Sequence, residues 1–180
     1  MKKDDKIVIL GVTGYVGSWL AHMLSDRGFT NIHGTYGDSQ KFEVVKNDLP
    51  NLTGERINIL TEKEKLAMFM RDAKWIFNDS APFTGEEKTI EDFNKTKINA
   101  VDNLFDAILE NQATIRKLVH VGSAGAVGFG NRDINKKIIT ENDWSDIENL
   151  DRPYDKFVIM KTMEEREVWK LAKKFDVSTT

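Results

Sequence analysis

The stretch YDKFVIMK, Tyr154 to Lys161, holds most of a proton-transfer pair. Hydride transfer to a carbonyl leaves an oxyanion that must receive a proton. A tyrosine four residues before a lysine on a helix can supply it, because that spacing puts both side chains on one face and the ammonium favours the phenolate. Here the residue four before Lys161 is Phe157, which keeps the ring and lacks the hydroxyl. Tyr154 lies seven residues before the lysine, roughly 10 Å along a helix axis and beyond the direct effect of the ammonium. Two readings of Tyr154 stand: a helix-end tyrosine with its hydroxyl in water, or a displaced proton donor brought closer by an irregular helix start. Ser123 closes the apolar run KLVHVGS. Its hydroxyl can bond a substrate oxygen, or it can satisfy backbone groups in the glycine-rich turn that follows.

A second group with chemical capacity is GVTGYVGSWL, in which Gly11, Gly14 and Gly17 follow the apolar run KIVIL and open a helical pattern. In this arrangement the first glycine allows a tight turn, the second lets backbone approach a pyrophosphate, and the third lets helix and sheet pack closely. The free N–H groups and positive dipole end of the helix then meet the phosphates. The strand, loop, helix and next strand occur in the order that turns a glycine triplet into evidence for dinucleotide binding. At the end of the next strand an acid would hold a ribose 2′-hydroxyl and an arginine a 2′-phosphate. The chain reads Thr35, Tyr36, Gly37, Asp38, with Lys41 further on, so NAD or NADP both remain open. Asp38 fits the ribose role and equally the N-cap of a following helix.

The elements that must position these groups follow from periodicity. Short runs rich in β-branched residues (6–10, 31–36, 56–60, 74–79 and 117–123) alternate with helical patterns over 15–28, 62–73, 89–112 and about 153–174. That alternation predicts an α/β fold, a Rossmann-type doubly wound parallel sheet flanked by helices, in a single domain spanning 1–180. The first helix is predicted to bury Val16, Leu20, Met23 and Leu24, and the last Val168, Trp169 and Leu171. Residues 124–152 form a long irregular connection, a length usual for binding loops. The chain closes on FDVSTT, where the alternation calls for a sixth strand.

Composition narrows the partners. With 180 residues, 26 basic and 29 acidic, the net charge is −3 and the charges are interspersed, so no nucleic-acid or membrane-surface footprint is expected. Cysteine is absent and His22, His33 and His120 have no ligand spacing, so neither disulfide nor metal site is predicted. The apolar run near the N-terminus is too short for a leader or a membrane span, which fits a cytoplasmic protein.

Four stretches, GVTGYVGSWL, WIFNDSAP, KLVHVGSAGAVG and FVIMKTMEEREVWKLAKK, resemble in order an extended short-chain dehydrogenase/reductase, of the NAD-dependent epimerase/dehydratase family and its dihydroflavonol-reductase-like branch. The resemblance implies that backbone near Thr13, Tyr15 and Val16 touches the cofactor phosphates and that Tyr36 and Asp38 border the adenosine ribose. The family's adenine-side aspartate has no counterpart here, its place falling near Asn58 and Ile59. Ser80 and Ala81 would line the nicotinamide-side ribose, Ser123 would hold the substrate oxygen, and Lys161 would bind the nicotinamide ribose and act on the residue at 157. It further implies hydride transfer between NAD or NADP and a small-molecule carbonyl, hydroxyl or sugar-nucleotide substrate, with helices of the kind that pair subunits into a homodimer. The family continues past Thr180 into further strands and a substrate-binding region, so this chain is expected to be C-terminally truncated, and Phe157 to impair turnover. The rival expectation is a noncatalytic cofactor-binding sensor or interaction protein.

Overall fold

The computed structural model describes residues 1–80, 89–129, 138–148 and 155–180. Five strands, β1 (Ile7–Leu10), β2 (Ile32–Tyr36), β3 (Thr53–Arg56), β4 (Trp75–Asn78) and β5 (Lys117–His120), form one parallel sheet in the order β3-β2-β1-β4-β5. Helices α1 (Tyr15–Asp26), α2 (Ser39–Asp48), α3 (Lys63–Phe69), α4 (Ile90–Glu110) and α5 (Asp155–Phe175) supply the crossovers. The central strand reads IVIL with every residue buried, because helices cover both faces of a parallel sheet. Its side chains alternate: Ile7 and Ile9 enter the core with Ala21, Leu24 and Phe42, while Val8 and Leu10 enter the core with Leu66, Leu104 and Val168. Strand order reverses between β1 and β4, which opens a crevice at their carboxyl ends.

Local sequence explains the helix ends. Thr89 and Asp92 form a reciprocal capping box at the start of α4, with the Thr89 hydroxyl oxygen accepting from the Asp92 N–H (3.1 Å) and the Asp92 carboxylate from the Thr89 N–H (3.0 Å). Past α1, the chain turns at Gly28, whose φ of 79° suits glycine. Residues 178–180 run beside β5, where Leu118 N–H donates to Ser178 O and His120 N–H to Thr180 O, the beginning of the sixth strand that the alternation calls for.

Three expectations change. The third strand is Thr53–Arg56 rather than 56–60: Thr53 and Gly54 pair with His33 and Gly34, while Ile57 and Ile59 turn into the core beyond the strand end. Their apolar character comes from that burial and not from pairing. The buried stripe of α1 is Gly17, Ala21 and Leu24, with Val16 and Met23 exposed, because the close approach at Gly17 rotates the helix by about one position. On α5, Val168 and Leu171 are buried as expected and Trp169 is exposed.

Candidate functional site

The glycine loop connects β1 to α1 at the crevice. Gly11 has φ 83°, and a Cβ there would lie 2.9 Å from the Asp79 carbonyl oxygen. At Gly17 a Cβ would lie 2.3 Å from the Gly11 carbonyl oxygen, so α1 rests directly on the loop. Gly14 precedes α1 without any side-chain cap. The N–H of Gly14 donates to Gly11 O, that of Ser18 to Gly14 O, and that of Gly17 to Asp79 Oδ2 at 2.8 Å. Tyr15 and Val16 are left with amides that have no acceptor among the described residues. Their side chains are exposed, Tyr15 at 84%, so what they can offer a bound anion is backbone. Two free amides at the positive end of a helix make an anion cradle.

The cradle opens into a cavity of about 690 Å³, bordered by Thr13, Tyr36, Gly37, Arg56, Ile59 and Ser80. Tyr36 stacks on Phe42, with ring centroids 4.2 Å apart, and so forms a fixed wall. Asp38 accepts from the N–H of Gln40 (2.8 Å) and of Lys41 (3.2 Å), so its carboxylate caps α2. Arg56 pairs in register with Tyr36 and donates from Nε to Gly37 O at 3.1 Å. The guanidinium thus stands at the end of β2, with no carboxylate in ion-pair contact among the described residues. Arg56 was not singled out from the sequence, because a basic residue twenty positions after Tyr36 reaches it only through the β2–β3 register. Ile59 lies at the cavity wall and its carbonyl accepts from Asn103 Nδ2 at 2.8 Å.

At the other end of the crevice, Ser123 caps a short 3₁₀ turn (Ala124–Ala126) and its hydroxyl oxygen accepts from Gly125 N–H at 3.1 Å. A methyl group on Gly125 would lie 3.3 Å from Ser123 Oγ and 3.5 Å from Phe157 Cε1, so Ser123 and the ring at 157 share one neighbour. The structure therefore brings Ser123 and Phe157 together. Lys161 Nζ donates to Glu164 Oε2 at 2.8 Å, and Glu164 is only 3% exposed. Ala81 and Tyr154 lie outside the described residues.

A polar chain runs behind these groups. Asn78 Oδ1 accepts from Ser80 N–H (3.2 Å) and Oγ (2.7 Å), which fixes the amide so that Nδ2 donates to His120 Nδ1 at 3.0 Å. His120 is then neutral with its proton on Nε2, a buried atom without a partner among the described residues. Burial, foremost, holds the His120 pKa below the usual imidazole range, against the field of Glu164 and with that of Lys161. Burial pushes the Asp79 carboxyl above its ordinary value, opposed by the Gly17 N–H and by Lys161. Asp79 and His120 carried no motif that sequence spacing could reveal, and Glu164 only its place three residues after Lys161.

A doubly wound parallel sheet with this glycine cradle at its switch point defines a dinucleotide-binding protein of the Rossmann type. The family model described as "NAD dependent epimerase/dehydratase family" matches residues 7–180, and the chain belongs to that family. It is 27% identical over 97% of its length to a bifunctional dihydroflavonol 4-reductase/flavanone 4-reductase of Malus domestica, and 28% identical over 96% to cinnamoyl-CoA reductase 2 of Arabidopsis thaliana. It spans 52% of each of those relatives, about half their length. Gre2 of Candida albicans in complex with NADPH has the same fold, with a TM-score of 0.82 at 21% identity over 98% of this chain and 55% of that one.

Proposed function

We propose that this chain is the nicotinamide-dinucleotide-binding domain of an extended short-chain reductase, acting on a carbonyl, hydroxyl or sugar-nucleotide substrate. The observation that carries this is the cradle itself: Gly11 and Gly17 leave no room for a Cβ, and the Tyr15 and Val16 amides at the start of α1, next to the cavity-lining Gly14, have no acceptor among the described residues. Those amides would hold the pyrophosphate and Tyr36 would wall the adenosine end. Arg56 supplies the cation that a 2′-phosphate needs at the end of β2, while Asp38 is spent on a helix cap, so NADP(H) is preferred over NAD(H). When bound, the nicotinamide would supply the hydride; Ser80 would border its ribose and Ser123 would orient the substrate oxygen. With Phe157 in place of a phenol, the position four before Lys161 has no proton to give the oxyanion, and turnover falls by roughly 10²- to 10⁴-fold relative to a tyrosine at that position.

A second reading, a noncatalytic cofactor-binding sensor, is favoured by the same Phe157 and by the pairing of Lys161 with Glu164. Titrating nicotinamide fluorescence with NADPH and NADH tests the premise both readings share: saturable binding supports them, and no binding of either overturns both. Carbonyl reduction appearing in Phe157→Tyr favours the reductase; cofactor binding without turnover in that variant favours the sensor. The net charge of −3 with interspersed signs supports a small-molecule partner rather than nucleic acid, and no helix among the described residues is long and apolar enough to cross a membrane. A cytoplasmic homodimer paired through α4 and α5 belongs to the same proposal, and sedimentation of the purified chain tests the dimer.

A further inference from the structure

We propose that Glu164 is a positioning residue that ties the Lys161 ammonium to its own helix and cancels its influence on position 157 and on the nicotinamide-side ribose. The inference rests on the reading that α5 is the helix facing the nicotinamide. Lys161 and Glu164 are three residues apart, which places them one turn apart on one face of α5, and Nζ meets Oε2 at 2.8 Å. Their side chains are 16% and 4% exposed, so water does little to screen the pair or to replace either partner. Lys161 is the one hydrogen-bond donor to Glu164 among the described residues. If the ammonium swung toward a ribose, it would strand an ionised carboxylate in the interior, which is far costlier than leaving an exposed ion pair. Among the described residues no other cation donates to the Glu164 carboxylate. His120 presents from β5 a neutral ring, and its low pKa keeps it from becoming the substitute cation.

The electrostatic consequence follows directly. A lone ammonium four residues along a helix from a phenol favours the phenolate. An ammonium with a carboxylate in contact presents a small dipole instead of a charge, so that preference is largely lost. Among the described residues, the other titratable groups near Lys161 do not restore it. Asp79 from the end of β4 is acidic, His120 from β5 is neutral, and Glu165 on α5 lies against Gly122, where a Cβ would meet its Oε2 at 2.6 Å. Arg166, the next cation along α5, turns to the Trp144 ring and donates to Ser145 O. Two changes therefore separate this chain from a working tyrosine–lysine pair: the missing hydroxyl at 157 and the carboxylate at 164.

The test is an ultraviolet phenolate titration of Phe157→Tyr, with and without Glu164→Gln, each read as a difference from the parent chain so that Tyr15, Tyr36 and Tyr154 cancel. In Phe157→Tyr alone the introduced phenol is expected to ionise in the ordinary range near ~10. In Phe157→Tyr/Glu164→Gln it is expected to ionise at least one pH unit lower, a tenfold or greater gain in phenolate at a given pH. Glu164→Gln on the Phe157 background is expected to tighten NADPH several-fold by releasing Lys161 to the ribose. An introduced phenol already depressed in the single variant, or one unmoved by the second substitution, overturns the proposal. Glu164→Ala must give the same direction as Glu164→Gln if the charge is what matters, and the single variant alone decides the first point if neither Glu164 variant folds. The phenol titration needs no cofactor, so its failure is distinct from a failure of the parent chain to bind NADPH.

Discussion

Replacing Gly17 with alanine sets two opposing effects against each other. Removing a glycine from a helix interior gains roughly 0.5–1 kcal/mol through lower unfolded-state entropy. Against this, the new Cβ would lie 2.3 Å from Gly11 O, 3.0 Å from Gly11 C and 3.1 Å from Val12 Cα, all backbone atoms that no rotamer change can relieve. The helix must retreat from the loop, and overpacking of that kind costs typically ~1–3 kcal/mol or more. Retreat also lengthens the Gly17 N–H bond to Asp79 Oδ2, a charged hydrogen bond worth roughly 1.5–3 kcal/mol. The net expectation is a destabilisation of roughly 2–4 kcal/mol, read in urea unfolding as a midpoint lowered by about 1 M or more with the slope unchanged. NADPH affinity falls with it, since the cradle widens. Gly37→Ala is the matched control: nothing lies within 4 Å of its added Cβ, so stability stays level or rises slightly. A Gly17→Ala protein as stable as the parent would refute the close approach of α1 to the loop.

Three further substitutions probe the rest of the site. Arg56→Gln is expected to lower the NADPH-to-NADH affinity ratio by about tenfold or more, the scale of a lost charged hydrogen bond, with NADH affinity little changed; an unchanged ratio in paired fluorescence titrations would remove Arg56 from the 2′-phosphate role. Burial raises the Asp79 pKa above 3.8, so stability from its neutral form is fully present below that value and is lost as pH rises through the raised folded value. Bound phosphates favour the same neutral form, so NADPH affinity should weaken as pH rises through that window, and Asp79→Asn should flatten the profile; a parallel slope in the variant would count against it. Thr89→Ala should cost about 1 kcal/mol in urea unfolding by removing the α4 capping box, and a loss within error would mean the box is not formed in solution.

The parts of the fold that burial dictates were legible in the sequence. The apolar run KIVIL read as a first strand, which the sheet places at its centre, and the glycines at 11, 14 and 17 announced a close backbone approach that the geometry shows. Periodicity misled where apolar residues serve a turn rather than a strand, as at Ile57 and Ile59, and where small residues set the contact, as at Gly17 and Ala21 in α1. The site itself was half legible. Ser123 and Phe157 lie in recognisable stretches and share Gly125 as a neighbour. Arg56, Asp79 and His120 act through pairings across strands or through burial, and neither leaves a spacing in one chain; Glu164 stands three residues after Lys161, but its burial is not written in that spacing. Asp38 shows the converse: a residue with two readings by sequence, of which the structure shows the helix cap, made through Oδ1 to the N–H groups of Gln40 and Lys41.

The central claim is that the Tyr15 and Val16 amides form an anion cradle for a nicotinamide dinucleotide. Following backbone amide resonances during an NADPH titration tests it most directly, with inorganic pyrophosphate as a second probe. The account predicts that the Tyr15 and Val16 resonances move most within the loop and saturate with both ligands, while Gly17, whose N–H already donates to Asp79, moves less. Saturable NADPH binding that leaves Tyr15 and Val16 unmoved would contradict it.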